Sequence, residues 1–92
     1  MTTKQWFVYI ITNPARVLYT GITTDLSMRL AAHNRGVGAK FTKGKGPWTM
    51  VASLQVANRS VASQVEIRIK KQPSDKKVAE LERLRSFLKS GS

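Results

Sequence analysis

Apolar residues along the chain fall into two kinds of spacing. Trp6–Ile11 and Val17–Ile22 are short runs rich in β-branched and aromatic residues, which suit a pleated, buried surface better than a helix. They flank Asn13, Pro14 and Ala15, turn-forming residue types, so together they predict a β-hairpin. With Asn13–Ala15 as the loop, Thr12 pairs with Arg16 and Tyr9 stands directly opposite Tyr19. A loop one residue longer makes the two tyrosines diagonal neighbours. Phe7, Tyr9 and Ile11 point to one face, and Trp6, Val8 and Ile10 to the other. Both faces are apolar, which predicts a sheet covered on both sides. Gly21 closes the second strand, where the backbone turns sharply or comes close to another group.

The next segment changes period. In TTDLSMRLAAHNRG, Thr24 or Asp25 offers an N-cap and Gly36 a stop. Leu26 and Leu30 share a face on a 3.6-residue period, and Arg29 and His33, four apart, form a row along its edge. Read singly, His33 suits a helix end and Arg29 a solvated surface; read together, they are two polar groups held near the sheet. A third strand follows at Trp48–Val56, entered through Pro47. Ser60 caps a helix with Val61, Val65 and Ile69 as its stripe, widened by Ala62, and Pro73 ends it. Ser74 caps a last helix reaching about Lys89, with Val78, Leu81, Leu84 and Leu88 inward. The order is β-β-α-β-α-α: an α+β fold with a three-stranded antiparallel sheet flanked by helices, forming one domain over residues 1–92.

Charge adds a partner. Sixteen Lys and Arg stand against five Asp and Glu, a formal net charge of +11, which on so small a domain attracts polyanions, nucleic acid first among them. No long amphipathic helix with an aromatic apolar face favours a membrane surface. The N-terminal apolar run is too short for a membrane span or a secretory leader, and the chain has no cysteine, so neither disulfides nor thiolate metal sites enter. The expectation is a cytoplasmic protein. Between the first helix and the third strand, RGVGAKFTKGKGP carries four glycines with Arg35, Lys40, Lys43 and Lys45. It is too long and glycine-rich to be an element, and it differs from the phosphate-binding loop of nucleotide-hydrolysing enzymes. It reads as a flexible nucleic-acid contact or as a mobile solvated loop.

Glu66 is the one acidic residue between Asp25 and Asp75. It shares its helix with Arg68, Lys70 and Lys71, and there a lone carboxylate opposes phosphate binding unless it holds a cation. Its other reading is an ion pair with Arg29 or with Lys70, its i+4 neighbour.

These residues form a recognisable set. Val8–Ile10 (V-Y-I), Tyr19–Gly21 (Y-T-G), Arg29 with His33, and the single Glu66 resemble the GIY-YIG nuclease family over nearly the whole chain. Tyr19–Asp25 and Gly36–Lys40 are similar to the Y-T-G-x-T-T-D and G-x-G-A-K segments of its small stand-alone bacterial members. The resemblance implies the same three-stranded sheet between helices and an endonuclease that hydrolyses DNA phosphodiester bonds, in repair or processing, with branched or damaged sites as natural targets and RNA left open. It implies that Tyr9 and Tyr19 are the active-site tyrosines, Arg29 contacts phosphate, His33 is their polar helper and Glu66 holds one Mg²⁺ or Mn²⁺. Arg35, Lys40, Lys43, Lys45, Lys70 and Lys71 are then the nucleic-acid-binding cations, and no obligate protein partner is called for. Val8 stands where the family name has Gly and Thr20 where it has Ile; Ile22 replaces a lysine of some members, and no Asn follows Glu66. The alternative is a basic nucleic-acid-binding module with a vestigial site.

Overall fold

In the computed structural model, which describes residues 5–90, three strands form one antiparallel sheet: β1 (Trp6–Thr12), β2 (Leu18–Thr23) and β3 (Thr49–Val56). Their order is β2-β1-β3, so the first strand is central, as its two apolar faces require. The helices are α1 (Leu26–Arg35), α2 (Arg59–Lys70) and α3 (Lys77–Ser90), the last entered through a 3₁₀ turn at Ser74–Lys76. The β-β-α-β-α-α order and the α+β class are as the sequence predicts. The first four residues, where a leader would begin, lie outside the described part. Among the described residues no helix is long and apolar enough to cross a membrane.

Each face of β1 has its own core. Val8 and Ile10 pack with Leu54, Val56, Ala62, Val65, Ile69, Leu81 and Leu84, beneath α2 and α3. On the other face Tyr9, Ile11 and Trp48 are buried against Tyr19, Leu26, Leu30 and Met50. A bulge in β3 shares that strand between the two cores: Ile10 pairs with Ala52 but Ile11 with Met50, leaving Val51 over. The extra residue reverses the alternation, so Ala52, Leu54 and Val56 serve one face while Met50 and Trp48 serve the other.

The hairpin register differs from the expected one. Tyr9 pairs with Gly21, and Tyr19 with Ile11, two residues from the predicted match, so the tyrosines are diagonal neighbours. Thr12 pairs with Leu18 and not with Arg16. The cause is Asn13, whose side-chain oxygen accepts from Val17 N at 2.9 Å while its carbonyl accepts from Arg16 N at 2.9 Å. Asn13 thus closes a loop running through Val17, in which Arg16 takes a left-handed φ of 64°. Gly21 sits inside β2 and makes the second kind of contact expected of it, a close approach.

Helix ends bring two further corrections. Asp25 caps α1 by accepting from Met28 N, and Gly36 ends it at φ 82°, both as expected. For α2 the cap is Asn58, whose side chain accepts from Val61 N; Ser60 is already inside the helix. Leu88, near the C-terminal end of α3, is exposed, whereas Leu81 and Leu84 are buried.

Candidate active site

The cluster on the α1 side of the sheet begins with Tyr9, which is 1% exposed at the middle of the central strand. Its ring lies across β2, and this requires Gly21: a Cβ there would stand 2.5 Å from the phenol oxygen. Arg29 and His33, one turn apart on α1, both reach that oxygen. Tyr9 Oη lies 2.7 Å from His33 Nε2 and accepts from Arg29 Nε at 3.4 Å. Arg29 is steadied from behind, where Nη2 donates to Gly38 O at 2.9 Å. Tyr19 packs beside them, its ring centroid 6.4 Å from that of Tyr9 and 5.1 Å from that of His33.

His33 is as deeply buried as Tyr9. Its other nitrogen, Nδ1, lies 2.7 Å from Thr42 Oγ1, and Gly38 closes over the ring so tightly that a Cβ would stand 2.5 Å from Nδ1. His33 lies in the last turn of α1 as a helix-end histidine would, but its imidazole also spans a strand and a loop. The loop is not solvated at Thr42. Thr42 is fully buried; its Oγ1 donates to Ala39 O at 3.1 Å and its carbonyl accepts from Trp48 Nε1 at 3.1 Å. Asn34 on α1 then clamps Trp48, accepting from its N at 2.6 Å and donating to its O at 3.0 Å. Four residues that sequence reasoning missed (Asn34, Gly38, Thr42 and, as an anchor, Trp48) thus hold the site. A threonine among lysines and glycines carries no signal of burial.

Ionisation follows from burial. Desolvation holds the Tyr9 phenol above the ordinary tyrosine value; Arg29 opposes this, and the Tyr19 and Glu66 charges add to it. Loss of solvent thus outweighs the guanidinium at the phenol. Burial, then the Arg29 charge, holds His33 below the usual imidazole range, so it is neutral at pH 7.

Glu66 lies on α2, near enough for its charge to act on the Tyr9 phenol. It is partly buried and forms an ion pair with Lys70 at 3.1 Å, the i+4 partner expected from the spacing. Among the described residues no three His, Cys, Asp or Glu side chains converge on a point that could hold a metal ion. Arg35, Lys40, Lys43, Lys45, Lys70 and Lys71 are all exposed. The Lys45 ammonium stands 4.0 Å over the Phe41 ring, and Phe41 in turn stacks on Tyr19.

Residues 5–79 match the GIY-YIG catalytic domain. The chain belongs to the GIY-YIG family. It is similar to bacterial proteins named UPF0213. One from Cronobacter sakazakii is 51% identical over 67 residues, 73% of this chain and 70% of that protein. One from Yersinia pestis is 41% identical over 91 residues, 96% of each. The solution structure of the UPF0213 protein of Bacillus halodurans is 35% identical and superposes with a TM-score of 0.51 over 90% of this chain and 84% of that one. The family is one of nucleases, so the substrate class is nucleic acid.

Proposed function

We propose that this GIY-YIG protein is a divalent-metal-dependent endonuclease that hydrolyses DNA phosphodiester bonds at the Tyr9–Arg29–His33 cluster, in the cytoplasm and in DNA repair or processing. The observation that carries this reading is the double contact of the buried Tyr9 phenol with a guanidinium and an imidazole. A buried tyrosine needs one hydrogen-bond partner for its hydroxyl, and a guanidinium and an imidazole together are more than packing requires. Phosphodiester hydrolysis needs a base for water, positive charge at the non-bridging oxygens and a stabilised leaving oxygen. In this assignment Tyr9 takes the proton from water, Arg29 turns its remaining N–H groups on the phosphate, and Tyr19 orients the attacked group. Lys43 and Lys45, with the other exposed cations, hold the flanking backbone.

The donor set at Glu66 fits Mg²⁺ or Mn²⁺. A single hard carboxylate leaves such a cation most of its waters and a place for a substrate phosphate, and Lys70 is exposed enough to leave the ion pair. When bound there, the ion would supply charge neutralisation at the phosphate and the leaving oxygen. The Glu66–Lys70 pair is also the observation that favours the second reading, a basic binding module whose acid is only a helix ion pair. Labelled single-stranded, duplex and branched DNA, incubated with the protein and Mg²⁺, Mn²⁺ or EDTA, separates the two. Cleavage abolished by EDTA supports the enzyme; tight binding to every substrate without cleavage in either metal supports the module.

A further inference from the structure

The hydroxyl of Thr42 bears on which way a proton can move through the cluster. We propose that Thr42 is a positioning residue that fixes His33 in its Nδ1–H tautomer, so that the Nε2 lone pair faces Tyr9 and takes the phenol's proton while the phenol takes one from the attacking water. The last step rests on the nuclease reading; the tautomer does not.

Counting protons at both ends of the imidazole gives the tautomer. Ala39 O can only accept, so Thr42 Oγ1, 3.1 Å away, donates to it. A hydroxyl has one proton. Having given it to Ala39, Thr42 Oγ1 meets His33 Nδ1 as an acceptor, and Nδ1 therefore carries the hydrogen in their 2.7 Å contact. At the other end Arg29 Nε can only donate to Tyr9 Oη, and the buried phenol's own proton finds a partner when His33 Nε2, 2.7 Å away, accepts it. One tautomer therefore satisfies the donors and acceptors at both ends. Thr42 is unable to rotate out of this role, because it is fully buried and both its N–H and its carbonyl are bonded, to Ala39 O and from Trp48 Nε1.

The chemistry then balances. As the water oxygen bonds to phosphorus, its proton passes to Tyr9 Oη and the Tyr9 proton passes to His33 Nε2. The phosphorus–oxygen bond to the leaving group breaks with its electron pair on that oxygen, which takes a proton from solvent. The imidazolium returns its proton by the same route. Because burial keeps the phenol protonated and the imidazole neutral, Tyr9 serves as a base only by handing on its proton at the same time. The groups facing His33 are Tyr9 from β1, Tyr19 from β2, Arg29 from its own helix and Thr42 from the loop; Arg29 is the one fixed charge among them.

This chain has one histidine, so the two nitrogen resonances of uniformly ¹⁵N-labelled protein report on His33 alone. In wild type and in Thr42→Ser, Nδ1 is expected as a protonated, pyrrole-type nitrogen and Nε2 as an unprotonated one. Thr42→Val, which keeps the shape and removes the acceptor, is expected to shift the population to Nε2–H. It should also lower cleavage roughly 100-fold with DNA binding kept, while Thr42→Ser restores most of the rate. An Nε2–H wild type, or a folded Thr42→Val that keeps Nδ1–H, would overturn the assignment. Where Thr42→Val does not fold, the wild-type and Thr42→Ser spectra decide it. Absence of cleavage by wild type overturns the nuclease reading and with it the relay, whereas the spectra judge the tautomer by themselves.

Discussion

The side chains of the cluster are separable by single-atom changes. Tyr9→Phe removes the hydroxyl that meets both Arg29 and His33 and leaves the His33 nitrogen without a partner, so it should cost about 1–3 kcal/mol of stability and roughly 100-fold or more in cleavage rate. Tyr19→Phe keeps the stacking on Phe41 and should cost less in rate; denaturation midpoints and initial rates on one labelled substrate check both. A larger loss at Tyr19 would exchange their roles. His33 adds a pH dependence. Its pKa is lowered in the folded protein, so the folded state binds fewer protons than the unfolded one at mildly acid pH. Its contribution is complete above the ordinary histidine value near 6.5 and is lost as pH falls through its folded value. Denaturation midpoints should therefore drop below about pH 6.5, in step with the His33 proton resonances, and cleavage should fall over the same window. A His33 that titrates at or above that ordinary value would contradict this. Helix spacing put Arg29 and His33 on one edge of a helix near the sheet, and the resemblance joined Tyr9 to them. Thr42 and Gly38 could not be found in the sequence, since their contacts cross from a loop whose path no periodicity describes.

At the scale of elements, local chemistry predicted which elements form but left their registers open. Helix α1 was legible from Asp25 to Gly36 because both ends carry capping residues that act alone. The hairpin register was not, because Asn13 closes its loop with a side-chain bond to Val17 that competes with the shorter turn its neighbours suggest. The β3 bulge was hidden for a similar reason: an extra residue in a strand leaves composition unchanged and shows only in pairing. Two substitutions probe these elements. Asn58→Ala should cost about 1 kcal/mol by removing the α2 cap, whereas Ser60→Ala should cost less, and urea denaturation distinguishes them. Gly21→Ala should cost about 1–3 kcal/mol through overpacking, since the added methyl lands on the Tyr9 phenol; a variant as stable and active as wild type would mean that the ring can lie elsewhere.

For the molecule as a whole, the charge of +11 attracts nucleic acid, and under the proposed function the Tyr9–Arg29–His33 cluster determines whether a bound strand is cut. If exposed cations bind phosphates, the logarithm of affinity should fall linearly with the logarithm of salt, at roughly −0.9 per phosphate neutralised on duplex. Neutralising Lys43 and Lys45 together should flatten that slope without changing sequence preference; fluorescence anisotropy over a salt series checks it. Opposed to this surface stands Glu66, and whether it is a ligand or a helix ion pair separates nuclease from binding module. The most direct measurement is therefore cleavage and DNA binding by Glu66→Ala beside wild type, each with Mg²⁺ and with EDTA. Wild type is expected to cut in Mg²⁺ and not in EDTA. Glu66→Ala is expected to stay folded, because its partner Lys70 is exposed, and to bind DNA at least as tightly without cutting it. Cleavage by purified Glu66→Ala at the wild-type rate, or none by wild type, would contradict the metal-dependent nuclease.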